Sequence, residues 1–252
     1  MKCAIFITVR TDSSRLSNKA LLPILGRPTI EMVILRSKLV KNVDEIIVCT
    51  TDRPVDDSLV LIAKKCGVKY FRGSLNDKLE RWLGATKKFK ISAFITMDGD
   101  DLFCDPELME LGIDQLRKGN LDFIEAPQGL ICGSFTYGIK TSALEKVCNI
   151  KNSNDTEMMW VYFKETGLFK ISDLKIEDLE FYDSNIRMTL DYEEDFVFFK
   201  TIFEHFKCIN NDITLREIVS FLKLHPEIVE LNSFRRQDWA LNQKRKSKFI
   251  LK

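Results

Sequence analysis

The chain has 252 residues, 45% of them hydrophobic and 30% charged, with a formal net charge of +1. This length suits one large α/β domain or two small ones, and the composition excludes a disordered or low-complexity chain. The near-neutral balance supplies no global field for nucleic acid, and no apolar run approaches the ~20 residues of a membrane span.

Ala4–Val9 is a short apolar run that reads as a buried strand. Arg10-Thr-Asp-Ser-Ser14-Arg15-Leu-Ser-Asn-Lys19 follows it, and a helical pattern at Thr29–Val40 comes after Leu21-Leu22-Pro23 and Gly26-Arg27-Pro28. A strand-to-helix loop with three cations and several hydroxyl residues suits a polyphosphate: amides and hydroxyls donate to its oxygens, and Arg and Lys neutralise it. It lacks the Gly-x-x-x-x-Gly-Lys-Ser/Thr pattern of a P-loop, and on charge alone a solvated basic loop fits equally well.

Further strands are expected at Glu45–Thr50, Val68–Phe71 and Ala93–Met97, alternating with helices at Val55–Cys66 and Asn76–Phe89. This βαβαβαβ rhythm predicts a parallel sheet covered on both faces, with ligands at the carboxyl ends of its strands. Three segments stand at such ends: Arg10–Lys19, Thr50-Thr51-Asp52 and Asp98-Gly99-Asp100-Asp101. In the last, Gly99 permits a sharp turn, and hard carboxylate oxygens suit Mg²⁺ beside a triphosphate. An Asp- and Gly-rich turn is also ordinary at a strand end.

After Leu121–Glu125 the rhythm changes. Pro127, Gly129, Gly133 and Gly138 punctuate 126–139, which suits loops and antiparallel strands. Ser153–Thr166 reads as a helix, with Trp160, Tyr162 and Phe163 at core spacing. Ile186–Leu190 reads as a short strand ending at Asp191, a carboxylate placed either for metal or as a helix N-cap. A helix follows at Glu193–Phe206, and Asp212 or Thr214 caps another that runs to Leu224. Residues 235–252 read as a solvated basic tail, with a dimer arm or an anion contact as the alternatives. The seven cysteines show no Cys-x-x-Cys pair, and His205 and His225 complete no zinc-ligand pattern with them, so reduced thiols in a cytoplasmic protein are expected rather than zinc. No signal peptide is seen.

In this order, the loop, the Gly-Asp turn and the Thr-Leu-Asp strand resemble the cytidylyltransferases that activate sugars. The chain is most similar to the spore-coat polysaccharide F-type branch, and more distantly to CMP-KDO and CMP-sialic acid synthetases. The resemblance runs from about Lys2 to Phe206 through Arg10, Ser14, Arg15-Leu16, Lys19, Leu21-Leu22-Pro23, Asp44–Thr51, Phe71-Arg72-Gly73-Ser74 with Asp77 and Arg81, Gly99-Asp100, Asp105-Pro106-Glu107-Leu108 and Arg187–Asp191 with Asp195. It departs from the family pattern at Asp12, at Ser17 where Pro is usual and at Asn18 where Gly is common.

The resemblance implies a Rossmann-like, GT-A-like three-layer α/β nucleotidyltransferase fold, its central sheet mostly parallel. It implies one domain over 1–252: a nucleotide-binding half (1–125), a smaller antiparallel acceptor or dimerisation region (126–190), C-terminal helices (191–234) and the tail. It further implies transfer of CMP from CTP to a sugar acid or phosphorylated acceptor, with pyrophosphate released, by a homodimer. Arg10, Ser14, Arg15, Lys19 and Asp100 would meet the nucleotide, and Lys19, Arg15 and Asp100 would carry the chemistry. Arg72 and Ser74 would lie near the base or ribose. Mg²⁺ would sit on Asp100 and Asp191, and Tyr137, Thr156, Glu157 and Arg187 would face the acceptor. Two rival readings accompany it. Asp98-x-Asp100 resembles the metal motif of nucleotide-sugar glycosyltransferases, and the loop departures would suit a non-catalytic nucleotide-binding module. Base choice among CTP, GTP and UTP is open.

Overall fold

Strand β1 (Cys3–Thr8) is buried from Cys3 to Ile7, so it has no solvent face. A strand apolar on both sides belongs in the middle of a parallel sheet with helices above and below. The computed structural model, which describes residues 1–246 and 250–252, has this architecture. After β1 come two short strands, β2 (Pro23–Ile24) and β3 (Arg27–Pro28), then α1 (Thr29–Ser37), β4 (Glu45–Thr51), α2 (Asp57–Lys65), β5 (Lys69–Gly73), α3 (Lys78–Phe89) and β6 (Ala93–Asp98). The second half contains α4 (Pro106–Lys118), β7 (Phe123–Glu125), β8 (Tyr137–Lys140), α5 (Thr141–Ile150), α6 (Trp160–Lys164), β9 (Ile171–Asp173), α7 (Glu193–Phe206), α8 (Leu215–Leu224), α9 (Pro226–Glu230) and α10 (Arg235–Lys246).

The seven-stranded sheet has the order β5-β4-β1-β6-β8-β7-β9, and β2 and β3 form a separate antiparallel pair. β5, β4, β1 and β6 are parallel, whereas β8 runs antiparallel to both β6 and β7. Side chains alternate between two cores. Ile5 and Ile7 join residues of α1, α2, α4, α7 and α8 on one face. Ala4 and Phe6 join α3, α5 and α6 on the other, where Phe6 stacks on Phe94 at 4.3 Å. The fold is therefore the expected three-layer α/β nucleotidyltransferase architecture.

The chain leaves β1 toward β4 and β5, then returns to β6 on the opposite side of β1. The two loops after β1 and β6 diverge, which opens a crevice between these strands at their carboxyl ends. Thr8 is in register with Asp98, so the Arg10–Lys19 loop and the Asp98–Asp101 turn face each other there. Gly99 makes this approach possible: a Cβ on it would lie 2.7 Å from the Val9 side chain.

Several segments differ from expectation. The sequence reading assigns no helix to α4 or α5. Asp105, whose side chain accepts the Leu108 N–H at 3.0 Å, starts α4 with Pro106 behind it. Of Ser153–Thr166, only Trp160–Lys164 is α-helix. Ser153 Oγ takes the Asp155 N–H, and the Thr156 N–H goes to the Asn76 carbonyl, so local and distant acceptors compete with helical ones. Ile186–Leu190 is not a strand but an extended segment with a single bridge, Arg187 to Cys132. The basic tail is helical over Arg235–Lys246, while 247–249 lie outside the described residues.

That extended segment is seated by Gly133, whose φ is +87° and whose added Cβ would lie 1.9 Å from the Met188 carbonyl oxygen. No shift of a side chain relieves a clash with backbone. Gly133→Ala is expected to cost at least ~4 kcal/mol from clash and left-handed strain together. Urea unfolding of the two proteins checks this, and equal midpoints would refute it.

Candidate active site

A cavity of about 630 Å³ opens at the crevice, a volume suited to a small-molecule ligand. Arg10, Ser14, Arg15 and Lys19 line it from the loop after β1, and Asp98 to Asp101 from the turn after β6. Asn18 adopts φ +52°, the left-handed conformation in which Gly is favoured and Asn is tolerated. The departure at that position therefore preserves the loop's path. Asp12 is engaged by Arg53 at 2.9 Å, which neutralises the loop's anion.

Lys19 is the hub. Its Nζ donates to Asp100 Oδ2 at 2.5 Å and to Asp191 Oδ1 at 2.7 Å. Arg15 donates to the same Asp191 oxygen at 2.5 Å. Burial alone would push the Lys19 ammonium down, but the two carboxylates hold it above the usual lysine range. Burial opposes ionisation of Asp191, yet Lys19 and then Arg15 bring its pKa down to about 2. The Leu190 N–H donates to the Asp100 carbonyl at 2.8 Å and so sets Asp191 beside the turn.

Asp191 is not a helix cap. Asp195 Oδ2 accepts the N–H groups of Asp191 and Tyr192 at 2.8 and 2.9 Å, and that frees the Asp191 carboxylate for the cations. Arg187 is buried behind it, donating to Asp195 at 3.0 Å and Asp191 at 3.4 Å. Removing one partner of such a buried group is costly, so Arg187 reads as a support for Asp191.

Asp98, Asp100 and Asp101 each offer a carboxylate oxygen, all within 4.8 Å of one another. Burial raises the pKa of Asp98, Lys78 at 3.8 Å opposes the rise, and Asp100 adds to it. Burial, then Asp100 and Asp98, push Asp101 well above the usual carboxylate range. Three crowded hard oxygen donors are a donor set for a hard divalent cation, whose charge would relieve Asp98 and Asp101. The sequence marks the whole turn as suited to Mg²⁺, while the family resemblance narrows the ligands to Asp100 and Asp191; the structure groups Asp98 and Asp101 with Asp100.

The remaining candidates divide. Tyr137 and Glu157 line the cavity, Glu157 facing Arg10 at 3.4 Å. Arg187 and Thr156 do not line it. Thr156 donates to Asp77 Oδ1 at 2.8 Å and accepts the Leu79 N–H at 3.1 Å, reinforcing the cap of α3. Arg72 and Ser74 also lie off this cavity. Arg72 holds the carbonyls of Thr51 and Arg53 and the Asp57 carboxylate. The Ser74 carbonyl accepts from Arg81, which does line the cavity. Among the described residues, Arg81 Nε and Arg15 Nη1 are buried with no hydrogen-bond partner, so unused donors remain for an anionic ligand. Trp160 lines the cavity, unlike the fully buried Tyr162 and Phe163.

A parallel sheet whose switch point joins a cationic loop to paired carboxylates is a nucleotidyltransferase site. Residues 4–207 match the family model described as Cytidylyltransferase, and the chain belongs to that family. An uncharacterized protein of Methanocaldococcus jannaschii is 34% identical over 240 residues, spanning 94% of this chain and 97% of the relative. The spore coat polysaccharide biosynthesis protein SpsF of Bacillus subtilis is 26% identical over 228 residues, spanning 88% and 94%. The 3-deoxy-manno-octulosonate cytidylyltransferase of Escherichia coli is 26% identical over 167 residues, spanning 66% and 64%. The solved structure of a cytidylyltransferase from Leptospira borgpetersenii superposes with a TM-score of 0.82 at 28% identity, covering 91% of this chain and 97% of that one. Among the described residues, no helix is long and apolar enough to cross a membrane.

Proposed function

We propose that this enzyme transfers CMP from CTP to a sugar acid or sugar phosphate, releasing pyrophosphate, as a cytoplasmic homodimer. The observation that carries the reading is the junction of Lys19 and Arg15 with Asp100 and Asp191 at the crevice between β1 and β6. The family match supports CTP, and the names of the Bacillus and Escherichia relatives support a sugar acceptor.

Arg10, Arg15 and Lys19 neutralise the triphosphate, with Ser14 and loop amides as further donors. An acceptor oxygen attacks the α-phosphorus in line, and the bond to the β-phosphate oxygen breaks. Lys19 stabilises the charge that gathers on the leaving pyrophosphate. Asp100 and Asp191 would hold Mg²⁺, with Asp98 and Asp101 beside them, and the ion supplies charge neutralisation on the phosphate oxygens. Positioning and electrostatics are the main contributions of the protein in such a transfer.

The test is pyrophosphate release with each of the four NTPs and Mg²⁺ against a panel of sugar acids and sugar phosphates. Release is expected with CTP and one acceptor class. Release of a nucleoside diphosphate from a nucleotide sugar would instead make the Asp98-x-Asp100 turn that of a glycosyltransferase. CTP binding with no turnover on any acceptor would support a binding module.

A further inference from the structure

We infer that α10 completes the acceptor side of this cavity, with the Arg236 guanidinium meeting an anionic group on the acceptor and Trp239 walling its ring. The inference rests on the nucleotidyl-transfer reading above. α10 lies beyond the residues that the family model matches. Arg236, Trp239 and Gln243 are spaced by three and four, which places them on one helical face, and all three line the cavity.

Residues on both sides of α10 are held by the rest of the fold. At its start, the Asn232 side chain donates to the Arg187 carbonyl at 3.0 Å and to Asp195 at 2.9 Å, and Arg235 grips Glu194 at 2.8 Å. The Arg187 guanidinium lies 5.7 Å from the centre of the Trp239 ring. Further along the chain, the Asn152 N–H donates to the Ile250 carbonyl and the Lys252 N–H to the Ile150 carbonyl, both at 2.9 Å. This ties the terminus to the stretch leading to Glu157.

Arg236 differs in its charge environment from the other cations lining the cavity. Of the other cations lining the cavity, Arg10, Arg15, Lys19, Lys78 and Lys164 each face a carboxylate within 4 Å, and Arg81 donates to main-chain carbonyls. Among the described residues, the Arg236 guanidinium has neither an ion pair nor a hydrogen bond. Its charge is felt at Cys132, which also lines the cavity. An exposed cation with no partner among the described residues, lining the cavity that the triphosphate loop also enters, fits the carboxylate or phosphate that marks an activated-sugar acceptor.

The test is calorimetric titration of two probes, the sugar acid 3-deoxy-manno-octulosonate and glucose 1-phosphate, into the full chain saturated with CMP. Arg236→Ala is expected to weaken the better probe about 10-fold or more, while CTP affinity stays within about twofold. Arg236→Lys should recover part of the loss, and Trp239→Ala should weaken the same probe. Equal probe affinities in wild type and Arg236→Ala, a matching loss for CTP, or a wild type that binds neither probe would overturn the inference. The transfer reading fails separately. A wild type that releases no pyrophosphate, yet loses probe affinity on Arg236→Ala, would sink transfer and leave the acceptor wall standing.

Discussion

Lys19→Ala is expected to lower single-turnover pyrophosphate release at saturating CTP by about 10²–10³-fold, the cost of removing one preorganised donor from a developing negative charge. Its ammonium is part-buried and held between two carboxylates in the free enzyme. Those contacts fix its position before substrate arrives, so little reorganisation remains for the transition state. The same variant is expected to lose stability, since Asp100 and Asp191 would then face each other without their shared cation. Its affinity for Mn²⁺ should rise at the same time, because a competing positive charge has left the carboxylates. This opposite movement of metal affinity and turnover distinguishes a charge-stabilising lysine from one that merely props the loop. Wild-type turnover in Lys19→Ala would remove the assignment.

The parts of this site that were legible in the sequence are those that adjacent residues encode. The apolar run of β1, the cations at 10–19 and the Asp-Gly turn after β6 are contiguous, and a parallel sheet puts successive strand ends on one edge. The helix at Glu193–Phe206 and the Thr214 cap were legible for the same reason. A capping box between Thr214 and Glu217 is a local signal, and the structure has both of its bonds. Asp105-Pro106 carries an equally clear local helix start, an Asp cap before Pro at the first helical position, although it follows directly on the acidic turn. α5 begins without a side-chain cap and follows a Gly-punctuated stretch, so it lacked a comparable signal.

What could not be read depends on distant packing. Thr156 and Arg187 look like acceptor contacts because both are polar and stand in the second half. Their neighbours decide otherwise: Asp77 claims Thr156, while Asp191 and Asp195 claim Arg187. Arg72 is spent on the carbonyls at the end of β4, and the cations of that region that line the cavity are Lys78 and Arg81, both in the first turn of α3. Residues 235–246 looked solvated because their composition is strongly polar. Only the fold shows that one face of this helix meets the cavity.

Asp100→Ala should leave the fold intact and reduce turnover to background, a loss of at least about 10³-fold if the metal contributes several kcal/mol to the transition state. The structural tie at this position is main-chain: the Asp100 carbonyl accepts the Leu190 N–H, and alanine keeps it. Lys19 keeps Asp191 as a partner, so no buried cation is orphaned. The carboxylate that is lost belongs to the cluster in which burial and mutual repulsion already raise Asp98 and Asp101. Thinning that cluster relieves repulsion, so the melting temperature without divalent cation should stay the same or rise slightly. The rise in melting temperature that Mg²⁺ or Mn²⁺ gives the wild type should shrink sharply, because a donor that touches both the metal cluster and Lys19 is gone. Catalysis and cation-dependent stability should therefore fall together while intrinsic stability does not. Turnover near the wild-type value, or an undiminished Mn²⁺ shift, would show that Asp100 is not a ligand and would return the turn after β6 to an ordinary acidic bend.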